Sequence, residues 1–437
     1  MNPSVARYFH HYITDIAPWY DLSDSLRLFG TELPEIALKS SLPFAAILAL
    51  SAVHISQTTT PSAKAAAEFY HDHCIRLLIE LKDEDDGEVD TRGLALASVC
   101  LLRSYEILSG TPGSFDNVVT RLTLTYVEEV DPNRHLRGAY SLAAYRSPLV
   151  GYLGSGLRTA GFWNYLREDI TFSLFQRCPL KIDLDQMPLP SQHGTDQSYL
   201  NTLSLILGRI INACFSGAVT EQAWLVLFDM LRSWSLNLPA RFRPYSWEDR
   251  GLGLSLPCIR TLRECHGRLK FYQRCRPGAE VQLASAFHYQ LICLAILCTT
   301  ATQENIALLK ALGDNTREIR DTKEEILENC GLDLCGSAFT ADSPPVLVNS
   351  FGPIAFCKQL DLILATGNQH ETQAQDLLVT KPRSKRLSAV LWRASDRSAG
   401  RSIDSSQICK LHGVRRPQQL PQRTANYSQV NKLSAEI

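Results

Sequence analysis

The sequence predicts an all-α protein: a large helical array of about a dozen amphipathic helices, followed by a disordered basic C-terminal tail. Three observations carry this. Apolar residues recur at spacings of three and four through most of the chain. Strand-like alternation is scarce, and its best instance, LTLTYVEEV (122–130), is isolated. After about residue 365 the apolar residues thin out and Pro, Gly, Ser and Gln take over.

The elements follow in order. LPFAAILALSAVHI (42–55) is apolar on almost every side and reads as a core helix. Thr60 before Pro61 reads as an N-cap with proline in the first turn. The helix it opens sets Ala66, Tyr70, Cys74, Leu77 and Leu81 on one stripe. DEDDGEVD (83–90) ends that helix, with Gly87 at the turn, and a second runs from about Leu94 to Leu108. Two helices joined by so short a loop pack antiparallel. FWNYLREDITFSLF (162–175) puts Trp163, Leu166, Ile170 and Leu174 on a buried face; Arg167 flanks that face and Glu168 is expected to point to solvent. SYLNTLSLILGRIINACF (198–215) and EQAWLVLFDMLRSW (221–234) are long periodic runs. LASAFHYQLICLAILC (283–298) is apolar all round and central, and NTREIRDTKEEILENC (315–330) is amphipathic and charged. There is no tandem period of the solenoid kind. The organisation is a helical domain over 1–365 and a low-complexity basic tail over 366–437, which cannot bury enough surface to offset its ordering entropy.

Composition narrows the function classes. Of 437 residues 45% are apolar and 20% charged, and the formal net charge is −1, so no global field steers the molecule to nucleic acid or membrane. The charge is uneven: from Asp376 onward there are 12 Lys and Arg against 4 Asp and Glu. The 13 cysteines are odd in number, scattered singly and mostly set in apolar surroundings, which reads as reduced, buried thiols of a cytosolic or nuclear protein. MNPSVARYFHHYITD lacks the apolar centre of a signal peptide, the run 42–55 is shorter than the ~20 residues that span a bilayer, and the terminal SAEI carries no prenylation cysteine. No membrane association is expected.

Searches for chemistry return little. There is no phosphate-binding G-x-x-x-x-G-K-[ST] loop, and GYLGSGLRTAG (151–161) misplaces its third glycine for a dinucleotide fingerprint, so it reads as a loop leading into a helix. Ser155 has Leu153 where a nucleophile elbow needs glycine. His71 and His73 lie two apart on a helix and point to nearly opposite sides, so they cannot share a metal. His370–Glu371 lacks a second histidine. His10, His11 and His54 read as fillers of helix faces, with His54 a hydrogen-bonded core histidine. No C-x-x-C occurs. The expectation is no catalytic residue, no metal and no cofactor.

One stretch is more informative than these. ARYFHHYITDIAPWYDLSDSLRLFGTELPEIALKSSLPFAAILALSAVHIS, followed in order by AEFYHDHCIRLLIEL, LALASVCLLRSYEIL, RHLRGAYSLA (134–143), GLRTAGFWNYLREDITFSL and CPLKIDL (178–184), resembles the fungal-specific regulatory domain of the binuclear zinc cluster transcription factors. NCGLDLCGSAFTADSPPVLVNSFGPIAFC (329–357) looks like that domain's closing helix pair. The likeness runs over roughly residues 5–360 and depends on the order of the phrases more than on any one of them. The family's DNA-binding module is an upstream six-cysteine cluster, C-x2-C-x6-C twice. This chain lacks it, with Met1 almost at the domain's edge. The family domain also continues into further amphipathic helices where this chain turns basic.

The resemblance implies a transcription regulator of the fungal zinc-cluster type, reduced to its regulatory domain. It would act through protein partners (other transcription regulators, in a homo- or heterodimer) or through a sensed ligand, and would control a metabolic or secondary-metabolite gene cluster. Nuclear residence is implied, with cytoplasm the alternative, and no specific DNA binding by this chain alone. A stand-alone helical scaffold is the second reading and an enzyme the third. Within APWYDLSDSLRLFG (17–30), Asp21 and Asp24 then begin or cap short helical segments, and Trp19 anchors under helix 42–55; a ligand contact by Trp19 or Tyr20 is the alternative. In the tail, Lys381, Arg383, Lys385 and Arg386 of KPRSKR form a candidate nuclear-import cluster, against a plain solubilising charge run.

Overall fold

The computed structural model describes residues 2–23, 26–81, 90–109, 134–144, 156–190, 195–217, 219–242, 244–248, 258–261, 279–312, 322–340, 345–346, 348–350 and 352–357. The expected strand 122–130, Asp24, the acidic loop around Gly87, the whole tail 366–437 and its import cluster lie outside them.

Helix α1 (Pro3–His11) starts where the Asn2 side chain accepts the Ser4 N–H, with proline in the first turn. It widens into a π-turn (Tyr12–Ile16) and ends in two 3-10 turns, Ala17–Trp19 and Asp21–Ser23. A short α2 (Glu32–Ala37) leads into α3 (Ser41–Thr58). Because α3 is apolar nearly all round, it buries two thirds of its side chains, wedged between α1, α4 (Lys64–Ile79) and α5 (Thr91–Ser109). Next come α6 (Arg134–Ala143) and α7 (Gly156–Gln176), both packed on α5.

The second half is built on α8 (Asp196–Phe215), α9 (Glu221–Leu236), α10 (Ala279–Thr300), α11 (Gln303–Leu312) and α12 (Lys323–Thr340). The Thr195 and Thr220 side chains cap α8 and α9. As expected, α10 is central, touching α8, α9 and α12. Two buried indoles tie this half together: Trp224 Nε1 donates to the Leu297 carbonyl at 3.1 Å and Trp234 Nε1 to the Tyr199 carbonyl at 3.0 Å.

The turn Asp21–Ser23 meets α7, α8 and α10 at once, so the two halves join on the stretch that opens the chain. Asn164 donates to the Tyr20 carbonyl at 3.0 Å and Gln282 to the Leu22 carbonyl at 2.9 Å. Asp21 begins its turn as expected, but its carboxylate reaches past it to accept the Phe29 N–H at 3.0 Å and closes the 21–30 loop. Trp19 sits edge-on to His54 of α3 at 5.3 Å between ring centres, which is the anchor anticipated. Tyr20 is buried, donates to Ser104 and stacks on Phe29, so its ring is structural.

Several expectations are corrected. A two-stranded antiparallel pair, β1 (Pro244–Glu248) with β2 (Cys258–Thr261), interrupts the otherwise helical fold; strands this short carry too few alternations to be read, and Pro244 sits at a strand start where no ladder N–H is needed. Thr60 does not cap α4 with its side chain; Pro61–Ala63 form a 3-10 turn first, and the Thr60 hydroxyl accepts from Arg7 at 3.2 Å. The most buried line of α4 runs through Ala67, His71 and Cys74, one step round from the stripe expected, because α3 packs along that side and Tyr105 of α5 stacks on His71. Glu168 is half-buried instead of exposed, 4.0 Å from Arg103, since α7 is covered by α5, α6 and α8 together. Arg167, expected to flank the buried face, is itself buried, and its head donates to the Asn164 side-chain oxygen. Finally, α3 and residues Val281–Thr300 of α10 are long and apolar enough to cross a membrane, longer than the run first read; 67% and 89% of these stretches are buried in the packed interior.

Candidate functional site: a cleft between α3, α4 and α5

The Lys64–Asp72 part of α4 opens a cleft of about 410 Å³ against α3 and α5. Helical periodicity makes it. Lys64, Glu68 and Asp72 follow at intervals of four and line up along the rim, while Ala67 and His71 face inward. Helix α3 supplies Val53 and Gln57, and α5 supplies Tyr105 and Ser109. At the rim Lys64 and Glu68 are 3.9 Å apart.

The floor is aromatic and titratable. The His71 ring stacks on Tyr105 at 4.2 Å between centres, nearly parallel at 14°. Both side chains are buried. His71 Nδ1 lies 3.3 Å from the Asp72 carboxylate and His71 Nε2 lies 3.1 Å from His135 Nε2 of α6. An ionised carboxylate only accepts, so Nδ1 carries the His71 proton. In the neutral ring Nε2 then offers its lone pair, and His135 Nε2–H is the donor. His135 Nε2 is also 3.6 Å from Glu106 Oε1, and Glu106 Oε2 is 3.5 Å from Arg103, whose Nε faces Glu168 of α7. A run of polar contacts thus leads from the exposed Asp72 through α6 and α5 to α7.

A second histidine pair lies outside the cleft. His11 Nε2 and His54 Nδ1 are 2.8 Å apart, with the rings stacked at 5.0 Å, and Asp15 sits 3.0 Å from His11 Nδ1. Burial lowers the pKa of both, that of His54 to about 4. The hydrogen-bonded His54 was legible in the sequence. His11 is its partner and not an independent filler, a pairing across 43 residues that no local spacing signals.

The sequence treated His71 only in relation to His73. The structure joins it instead to His135, from a different helix, and leaves His73 half-buried beside the exposed Phe69. The one available hint was a histidine on the inward side of an apolar helix. Among the described residues no group of three or more His, Cys, Asp or Glu side chains is arranged to hold a metal, and Cys74, Cys100, Cys178, Cys214, Cys293, Cys298, Cys330 and Cys357 are free thiols, all buried except Cys178 and Cys214. Burial raises the Cys74 thiol to about 12, which keeps it protonated and inert behind the cleft.

Residues 7–151 match the family model of the fungal specific transcription factor domain. The match takes in all three helices that form the cleft, together with α6, and it agrees with the resemblance carried by the opening phrases. No curated protein matches the chain, and no solved structure does. Within the matched domain, the polar features that its helices assemble include the buried histidines, the Arg103–Glu106 pair and the Asp21 loop.

Proposed function

We propose that this chain is a transcription regulator whose fungal specific transcription factor domain acts through protein partners, or through a small molecule held between α3, α4 and α5. The observation that carries the reading is the family match over residues 7–151, which contains the whole cleft. The partners are other transcription regulators, in a homo- or heterodimer, and the regulated genes are a metabolic or secondary-metabolite cluster. The chain works in the nucleus, performs no catalysis, carries no cofactor, does not engage a membrane and does not by itself read operator DNA. Base readout needs an element shaped for a groove, and the described helices are packed into one core.

The test is to tether the full chain to a heterologous DNA-binding domain in a fungal cell and read a reporter. Activation or repression by at least severalfold supports the reading. A silent tethered chain that forms a stable cytoplasmic complex would favour the scaffold reading instead.

A further inference from the structure

We propose that α4 is the contact helix of a symmetric dimer of this chain, in which two copies pack antiparallel through the outward stripe Phe69, Asp72, Arg76 and Ile79. This rests on the reading of the chain as one member of a dimer of regulators, and it names the surface and the partner, a second copy.

The stripe lies on the side of the helix away from the core. Ala67, His71 and Cys74 face inward, while Phe69, Asp72, Arg76 and Ile79 follow at intervals of three and four on the outer side. That is the spacing by which one helix packs along another. Phe69 is 61% exposed and Ile79 78%, the highest value for a large apolar side chain among the described residues. The two charges between them are uncommitted. The Asp72 side chain is 70% exposed and meets the His71 ring alone. Arg76 lies one turn on, yet among the described residues it forms no ion pair with Asp72 or with any other carboxylate.

The order of the four residues selects the occupant. Phe69 and Ile79 lie equally far either side of position 74, and so do Asp72 and Arg76. A two-fold axis passing that position seats Phe69 on the partner's Ile79 and Asp72 on the partner's Arg76, and the reverse, in a single antiparallel register. A parallel pair would set each charge on its own copy, and like charges in contact repel, so the charged centre fixes the direction while the apolar ends supply the adhesion. The half-buried Ile75 and His73 flank the axis, each beside its own copy. The patch is one helix long and smaller than the ~1,600 Å² of a standard interface, so the dimer is a weak one, with dissociation on the order of 10 μM or above.

The experiment is sedimentation equilibrium of the full chain over a wide concentration range. The parent should associate to a dimer and no further, because a two-fold contact closes on itself. Arg76→Asp makes the centre all carboxylate and Asp72→Arg makes it all guanidinium; each should raise the dissociation constant about tenfold or more. Mixed in equal amounts, the two variants place opposite charges across the axis again and should form a heterodimer as tight as the parent's dimer. Both positions face solvent, so each variant alone should keep the parent's melting temperature at low concentration. Phe69→Ala and Ile79→Ala should each weaken the dimer without any rescue on mixing. A parent chain that stays monomeric, single charge variants that dimerise as the parent does, or a mixture no tighter than its components would overturn the proposal. The tethered reporter stands apart from it: a chain that regulates yet stays monomeric sinks the dimer alone, and a chain that dimerises through this stripe yet leaves the reporter silent sinks the regulatory reading alone.

Discussion

Asn164 on α7 donates its side-chain amide to the backbone carbonyl of Tyr20, 144 residues earlier, at 3.0 Å. The same amide nitrogen also reaches the Ala160 carbonyl, and its oxygen accepts from Arg167. One buried side chain therefore satisfies a loop carbonyl and holds the head of a buried cation.

Asn164→Ala should be strongly destabilising for that reason. The Tyr20 carbonyl would lose its side-chain partner in the interior, where a buried group left without one costs about 1–3 kcal/mol, and the Arg167 head would lose one of its contacts. Urea unfolding should show a loss at the upper end of that range or beyond. Arg167→Met, which removes the charge but keeps an apolar stem of similar length, should cost less than Arg167→Ala. Equal losses in the two Arg167 variants would show that the guanidinium, and not its stem, carries the contribution.

Acid should weaken the fold, and His288 should account for part of the loss. Its ring is fully buried on α10, 3.1 Å from the Ser337 hydroxyl, and burial lowers its pKa to about 3. An unfolded histidine takes its proton near pH 6.5, while the folded one resists until about pH 3. Between those values the unfolded state binds more protons, so the stability His288 contributes is complete above pH 6.5 and drains as pH falls. The limiting slope is about 1.4 kcal/mol per pH unit for one such group. His54, lowered to about 4 by burial and by His11, adds in the same direction. Glu168 and Asp169, whose burial raises their carboxyls, oppose it. The comparison must therefore be differential: His288→Leu should lose less stability than the parent between pH 7 and pH 5. Parallel urea midpoints in the two proteins across that interval would contradict the assignment.

Helix α4 shows how far such features were legible. Its apolar periodicity announced the helix, and Cys74 was on the stripe expected; yet the buried line runs through Ala67 and His71, because side-chain pattern locates a face only to within a residue when two neighbours share it. The pairings His71–His135 and His11–His54 join residues on separate helices, and their partners could not be named before the helices were placed. Glu168 failed for a related reason: its side was judged from the stripe of its own helix, and the cation that faces it, Arg103, comes from α5. The short β pair went unseen because four or five residues give no period to measure. Over residues 7–151 the resemblance succeeded where these failed, since phrases such as APWYDLSD and RHLRGAY preserve an order along the chain that does not depend on knowing the contacts.

Gly161 should resist replacement although it lies inside a helix. Alanine there would gain roughly 1 kcal/mol of helix propensity. Its Cβ, however, would stand 2.9 Å from Leu96 Cγ on α5, and that branch point cannot swing aside as a chain end could. The backbones of α5 and α7 are close here, as the approach of the Cys100 thiol to the Gly161 carbonyl at 3.7 Å also shows. Overpacking of this kind costs about 1–3 kcal/mol and exceeds the propensity gain. Gly161→Ala should therefore lower the melting temperature, and Gly161→Ala combined with Leu96→Ala should not lower it by the sum of the two single changes. A Gly161→Ala variant as stable as the parent would mean that α5 and α7 separate freely.

The last prediction concerns the basic cluster of KPRSKR. Lys381, Arg383, Lys385 and Arg386 place four cations within six residues, and Pro382 disfavours helix at Lys381, which suits a receptor that reads extended cationic peptides. The competing account is a charge run that keeps a polar stretch soluble, and both follow from composition alone. Localisation separates them. A fluorescent fusion of the full chain should accumulate in the nucleus of a fungal cell, and replacing all four basic residues with alanine should move it to the cytoplasm. Replacing the same number of basic residues elsewhere in the tail, at Arg397, Arg401, Arg415 and Arg416, removes equal charge and should leave it nuclear. If the two quadruple variants behave alike, bulk charge and not the cluster governs where the protein resides, and nuclear delivery falls to a partner.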